Sequence, residues 1–94
     1  MINTLSDTVP LMNSEDKKER FIGEYYQTKI RYERLKAFNT KIAAAETCLT
    51  VPEPTHDCPS HILRRQQKIM GEYLHILELR AVMENINLEE CKCN

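Results

Sequence analysis

Glycine, tryptophan and any surplus of one charge are what this sequence has least of. Two glycines in 94 residues leave no material for a glycine-rich phosphate loop. Thirteen Lys and Arg against fourteen Asp and Glu give a formal charge of −1, so no overall basic excess points to DNA, and no DNA partner is expected. No run approaches the ~20 apolar residues that span a bilayer, so no membrane partner is expected either. Residues 1–10 hold no Lys or Arg and no apolar core of the kind a signal peptide carries. With no export signal read, Cys48, Cys58, Cys91 and Cys93 are expected to be reduced cytoplasmic thiols.

What is present reads as helix. A content of 41% apolar and 29% charged residues is too apolar for general disorder and suits one small domain. Asn13-Ser14 followed by Glu15 and Asp16 has the pattern of a helix start, with acids near the positive end of the dipole. Phe21, Tyr25, Thr28, Tyr32, Leu35, Asn39 and Ile42 then alternate at spacings of four and three, and this seam predicts a helix over about 14–47. Pro52 and Pro54 in alternate positions make 48–58 an extended connector. Pro59 opens a second helix that its periodicity carries to about 86. Residues 1–13 read as a flexible or swapped arm, interrupted by Pro10, and 87–94 as a frayed tail.

The expected fold is therefore all-α: two long antiparallel helices in a hairpin, with a short N-terminal arm. The apolar stripe of the second helix includes the neighbouring pairs 69/70, 73/74 and 76/77, more than one partner helix covers. A lone chain of this size also hides only about 60% of its unfolded surface. Both points favour a homo-oligomer. Asn39 and Gln66, polar residues within the two seams, are assigned to register and interface duty.

Three constellations bear on chemistry. Cys48, His56, Cys58 and His61 lie within fourteen residues, but without the tight CxxC pair of structural zinc sites, so no metal and no cofactor are expected. No Ser/His/Asp order and no HExxH motif is present, and two helices offer little concavity for a water-excluding active site, so no catalytic residues and no enzyme activity are expected. Charge is more informative locally. Lys29, Arg31, Arg34, Lys36 and Lys41 face one acid, Glu33, and 61–68 contains His61, Arg64, Arg65 and Lys68 with no acid at all. Folding the helices back on each other gathers these cations toward the connecting loop, while acids collect at the open end. Planar guanidinium groups suit phosphate, and tyrosine rings suit a base. The candidate phosphate ligands are Lys29, Arg31, Lys36, Arg64, Arg65, Lys68 and Arg80, and the candidate stacking residues are Tyr25 and Tyr26.

Two blocks, ERFIGEYYQTKIRYERLKAF (19–38) and CPSHILRRQQKIMGEYLHILELRAVMENINL (58–88), resemble a family of small proteins from phages and prophages of Firmicutes that is related to a crAss-like phage protein. The second helix, with Gln66, Met70, Arg80 and Ala81 in a Q-x3-M-x9-RA pattern, also resembles the helical hairpin of the anti-CBASS and Thoeris anti-defence sponge proteins. That resemblance implies hairpins assembled as oligomers that sequester cyclic nucleotide immune signals. It places Lys29 at the position of a phosphate-contacting lysine and brings Arg80 among the candidates. Those proteins stack the base on a tyrosine in the arm; this arm has no aromatic residue, so Tyr25 or Tyr26 takes that part.

The expectation is a non-enzymatic phage counter-defence protein in the cytoplasm of the infected host cell. Its expected partners are a second copy of itself and a signalling nucleotide: a cyclic dinucleotide, a cyclic trinucleotide or an ADP-ribose derivative. The alternative is a helical protein-interaction module that inhibits a host defence enzyme or nuclease by direct binding.

Overall fold

A computed structural model describes residues 2–89, which leaves Cys91 and Cys93 outside the described residues. The described chain is all-helical and has no strand: α1 (Leu5–Met12), α2 (Lys17–Thr47) and α3 (Ser60–Met83). None of these helices is long and apolar enough to cross a membrane.

α2 is the spine. Its 31 residues would reach about 46 Å at 1.5 Å per residue, which accounts for the 49 Å long axis of the molecule. α3 returns antiparallel along one side. Four contacts fix that direction: Glu46 with Arg64, Asn39 with Leu63 and Gln67, Tyr25 with Glu78, and Tyr26 with Leu88. α1 lies against another face of α2, toward its N-terminal half, with Leu11 and Met12 over Gly23. The main core therefore sits at the end away from the connecting loop. There Phe21, Ile22, Tyr25 and Tyr26 meet Leu74, Leu77 and Ala81, and Ile2, Leu11, Ile86 and Leu88 pack around them.

The arm is the main departure from the sequence reading, because most of it is a helix. Thr4 caps α1 through a reciprocal box: Asp7 N–H donates to Thr4 Oγ1 (3.3 Å), and the Asp7 carboxylate accepts from the Thr4 and Asn3 amides (3.0 and 2.9 Å). Those backbone bonds hold the Asp7 carboxyl below its usual pKa. Pro10 forfeits one helical bond, yet the helix forms around it because the cap and the burial of Thr8 and Leu11 against α2 outweigh that loss. Asn13 then closes α1, its N–H reaching Val9 O (3.0 Å), so α2 is capped by Asp16, which accepts from Lys18 N–H (3.0 Å).

α3 ends at Met83, short of 86, by a Schellman turn. Asn85 has φ 58°, Ile86 N–H donates to Ala81 O (2.8 Å), and Asn85 N–H donates to Val82 O (3.3 Å). The turn folds the following residues back, so that Ile86 and Leu88 join the core and Tyr26 Oη donates to Leu88 O. The described part of the expected frayed tail is thus packed.

At the loop end the molecule is two helices thick. Ile42 is buried there, and Asn39 Nδ2 donates to Leu63 O (3.1 Å) and Gln67 Oε1 (2.9 Å). Gln67, not Gln66, is the partner; Gln66 is exposed. His56 stands edge-on to Phe38, with its ring nitrogens against Cys58 O (2.7 Å) and Glu53 Oε2 (2.9 Å).

Three outcomes follow from this packing. Leu77 is 1% exposed at the centre of the α2–α3 seam, and Leu77→Ala should cost about 2–5 kcal/mol in urea unfolding. A Cβ on Gly23 would stand 3.0 Å from both Leu11 Cβ and Met12 N and 2.9 Å from Met12 Cγ, so Gly23→Ala should undock α1, read as accelerated amide exchange over residues 5–12. The Cys58 carbonyl, followed by the Glu53 carboxylate, favours protonated His56 and raises its pKa. The stability this group contributes is full below about pH 6.5, the unfolded value, and is lost as pH rises through the higher folded value. NMR titration should place the His56 midpoint above 6.5, and Glu53→Gln should lower it.

Candidate functional site

The cationic stretch of α2 carries a shallow groove of about 550 Å³ on its flank, lined by Ile2, Asn3, Tyr26, Lys29, Ile30, Glu33, Arg34 and Ala37. Helical period builds it. Positions 26, 30, 33 and 37 recur at spacings of four, three and four and form one strip of the helix surface, with Lys29 and Arg34 on either side of it. The antiparallel run of α1 brings the chain just before it, Ile2 and Asn3, over this strip as a wall. The ion pairs among the described residues are Glu53–His56, Glu46–Arg64 and Glu84–Arg80, and neither Lys29 nor Arg34 takes part in one. Lys29 and Glu33 also border a smaller hollow of about 200 Å³ between α2 and α3, with Tyr25, Tyr32, Gly71 and His75. Gly71 packs closely there: a Cβ would come 3.2 Å from the Tyr32 ring, which would have to give by a few tenths of an ångström.

The two candidate stacking residues border these hollows only with buried rings. Tyr25 and Tyr26 are core residues, 6% and 4% exposed, set edge-to-face at 5.1 Å. Their hydroxyls are committed, Tyr25 to Glu78 Oε2 (2.9 Å) and Tyr26 to Leu88 O (2.8 Å). Burial first, and then the Glu78 hydrogen bond, pushes the Tyr25 phenol well above its ordinary pKa. Tyr26 reaches the groove as part of its wall, but neither tyrosine has the open ring face expected for stacking a base. The seam position that marks Tyr25 as apolar also buries it.

Lys36, Arg64, Arg65 and Lys68 do gather toward the loop end, as the antiparallel pairing requires, but neither they nor Arg31 line these hollows. Arg64 is tied to Glu46. Arg80 sits at the opposite end, its Nε 2.7 Å from Glu84 Oε2 and its guanidinium 4.8 Å above the Phe21 ring. The hydrogen bond to Glu84 raises the Arg80 pKa and lowers that of Glu84. With Lys17, Lys18, Arg20 and Phe21, Arg80 lines two adjoining hollows of about 390 and 410 Å³. The open end is therefore mixed in charge, which corrects the expectation of an acidic pole.

Arg34, Glu33, Ile30 and the Ile2–Asn3 wall were not singled out from the sequence as site residues. The 26/30/33/37 spacing was the available signal, overshadowed by the stronger seam facing α3. The cysteine and histidine cluster near the loop does not assemble: no group of three or more His, Cys, Asp or Glu converges among the described residues, and both His56 nitrogens are engaged. Cys48 is exposed, and the Thr50 hydroxyl 3.1 Å from its sulfur lowers the thiol pKa.

No curated protein and no solved structure matches this chain. A family model does, over residues 15–83, which takes in α2, the connecting loop and the whole of α3. The antiparallel pair that carries the Lys29–Arg34 strip is thus the part shared with that family, and the chain belongs to the Sequestin family.

Proposed function

We propose that this protein captures a phosphate-bearing signalling nucleotide in the Lys29–Arg34 groove and holds it without turning it over, as a phage counter-defence protein acting on a cyclic nucleotide immune signal. Membership of a family named for sequestration supports capture over catalysis. The observation that carries the reading is the groove itself: Lys29 and Arg34, outside any ion pair among the described residues, stand on either side of the strip of Tyr26, Ile30, Glu33 and Ala37, walled by Ile2 and Asn3.

Each group has a role that its chemistry suits. Lys29 meets one phosphate as a point charge, and Arg34 meets another through its planar fork. Glu33, between them, accepts an N–H from a base edge. Tyr26, Ile30 and Ala37 form the apolar surface against which the base lies, in place of an exposed stacking ring. Arg31 and Lys36, on the same helix outside the groove, add attraction at longer range. The volume is in the range of small-molecule sites. Stoichiometric capture needs tight binding rather than chemistry: a nanomolar Kd corresponds to about −12 kcal/mol.

Calorimetric and thermal-shift titration with cyclic dinucleotides, cyclic trinucleotides and cyclised ADP-ribose derivatives tests this. One ligand class should raise Tm by several degrees and be recovered chemically unchanged. Lys29→Ala combined with Arg34→Ala should weaken its binding by about a hundredfold or more while leaving helicity intact, given about 1.5–3 kcal/mol for each charge-assisted hydrogen bond. A flat response from folded protein across the whole panel overturns the reading.

A further inference from the structure

The wall of the groove hangs on one carboxylate. In a reciprocal capping box, the side chain of the third helical residue accepts a bond from the amide of the N-cap. Asp7 does this for Thr4 N–H (3.0 Å), and the same oxygen, Oδ2, also accepts from Asn3 N–H (2.9 Å). The second bond lies outside the box, because Asn3 precedes the cap. The entering chain is often fixed instead by a hydrophobic staple, in which an apolar residue before the cap packs on one at the fourth helical position. Here those two positions are Asn3 and Thr8, both polar, and the Thr8 hydroxyl donates to Leu5 O (2.7 Å). The staple is missing, and the Asp7 carboxylate stands in for it.

We infer that Asp7 is a positioning residue for the groove, a role that rests on this groove being the binding site: its bond to the Asn3 amide sets the Ile2–Asn3 wall over the strip that Lys29 and Arg34 flank. Ile2 is half-buried and packs against the core, so it anchors one end of the wall. Asn3 is exposed, and among the described residues the bond to Asp7 is what holds it. Exposed residues ahead of a first helix fray unless their backbone is tied down. The effect on binding is one of population. A site whose wall is set for only a fraction of the time binds more weakly by that fraction, with every ligand contact unchanged. Asp7 does not itself line the groove, so cutting the tie lowers affinity without removing Lys29, Glu33 or Arg34.

NMR relaxation of the backbone amides in the full chain, without ligand, tests the tie directly. The Asn3 amide should have an order parameter of about 0.85 in the wild type and below about 0.6 in Asp7→Ala, while Thr8, Leu11 and Met12 stay rigid in both. Thr4→Ala removes the Oγ1 acceptor of the cap but keeps both amides that donate to Asp7, so Asn3 should stay rigid. Asp7→Glu, which supplies the more usual carboxylate of a capping box, should restore the rigidity of Asn3. Cyclic di-AMP, cyclic tri-AMP and cyclic ADP-ribose then serve as calorimetric probes. A probe that binds the wild type should bind Asp7→Ala about fivefold more weakly or worse, and Thr4→Ala and Asp7→Glu within about twofold. An Asn3 amide that is flexible in the wild type, or rigid in Asp7→Ala, overturns the tie. Loss of order at Thr8, Leu11 and Met12 in Asp7→Ala, or equal losses of affinity in Thr4→Ala and Asp7→Ala, makes Asp7 a helix cap and overturns the positioning role. If no probe binds the folded wild type, capture of a nucleotide is what fails, and the order parameters still decide whether Asp7 sets the wall.

Discussion

The α2–α3 seam is the interaction on which the rest of the structure depends. An isolated helix is marginal in water, and α2 is held along its length mainly by what it packs against. Leu77, Leu74 and Ala81 bury the α3-facing side of its first half, while Asn39 and Ile42 carry the pairing toward the loop. Only once that side is committed is a second side of α2 left to receive α1. Only with α1 in place do Ile2 and Asn3 stand over the strip from Tyr26 to Ala37. The groove is thus a third-order product: seam first, arm next, cavity last.

This order explains which features were legible in the sequence. α2 and α3 were readable because a periodic apolar face over more than twenty residues has no other low-energy use, and Pro52, Pro54 and Pro59 mark the break between them. α1 was hidden. Eight residues with a proline among them show no useful periodicity, and the one local signal, Thr4 paired with Asp7, is short. The ends of α2 and α3 moved for related reasons. Asn13 is spent on closing α1, and Asn85 adopts a left-handed conformation that side-chain pattern alone does not announce.

The candidate site divides along the same line. Lys29 was a candidate from the sequence because cations on an otherwise acid-poor stretch stand out, and because a resemblance pointed at that position. Arg34 and Glu33 were visible as charges, but their value depends on a wall contributed from some thirty residues earlier in the chain. Tyr25 and Tyr26 show the opposite failure. Aromatic residues suit both a core and a base, and periodicity cannot separate the two uses until the hydroxyl partners, Glu78 and Leu88, are known. Gln66 and Gln67 differ by one position, yet that step of about 100° decides whether the amide pairs with Asn39 or faces outward.

The Schellman turn at Asn85 has a consequence for the groove. It delivers Leu88 O to the hydroxyl of Tyr26, whose ring also walls the groove, so a hydrogen bond spanning 62 positions of sequence closes the chain into a non-covalent ring. With α3 already paired to α2, the loop this bond closes is only the short stretch after Met83, so its entropic cost is small beside that of the seam. Protection of the Ile86 amide, held by Ala81 O, therefore serves as a gauge of whether the groove wall is set. The turn and the groove thus share Tyr26, a residue of both the groove wall and the core.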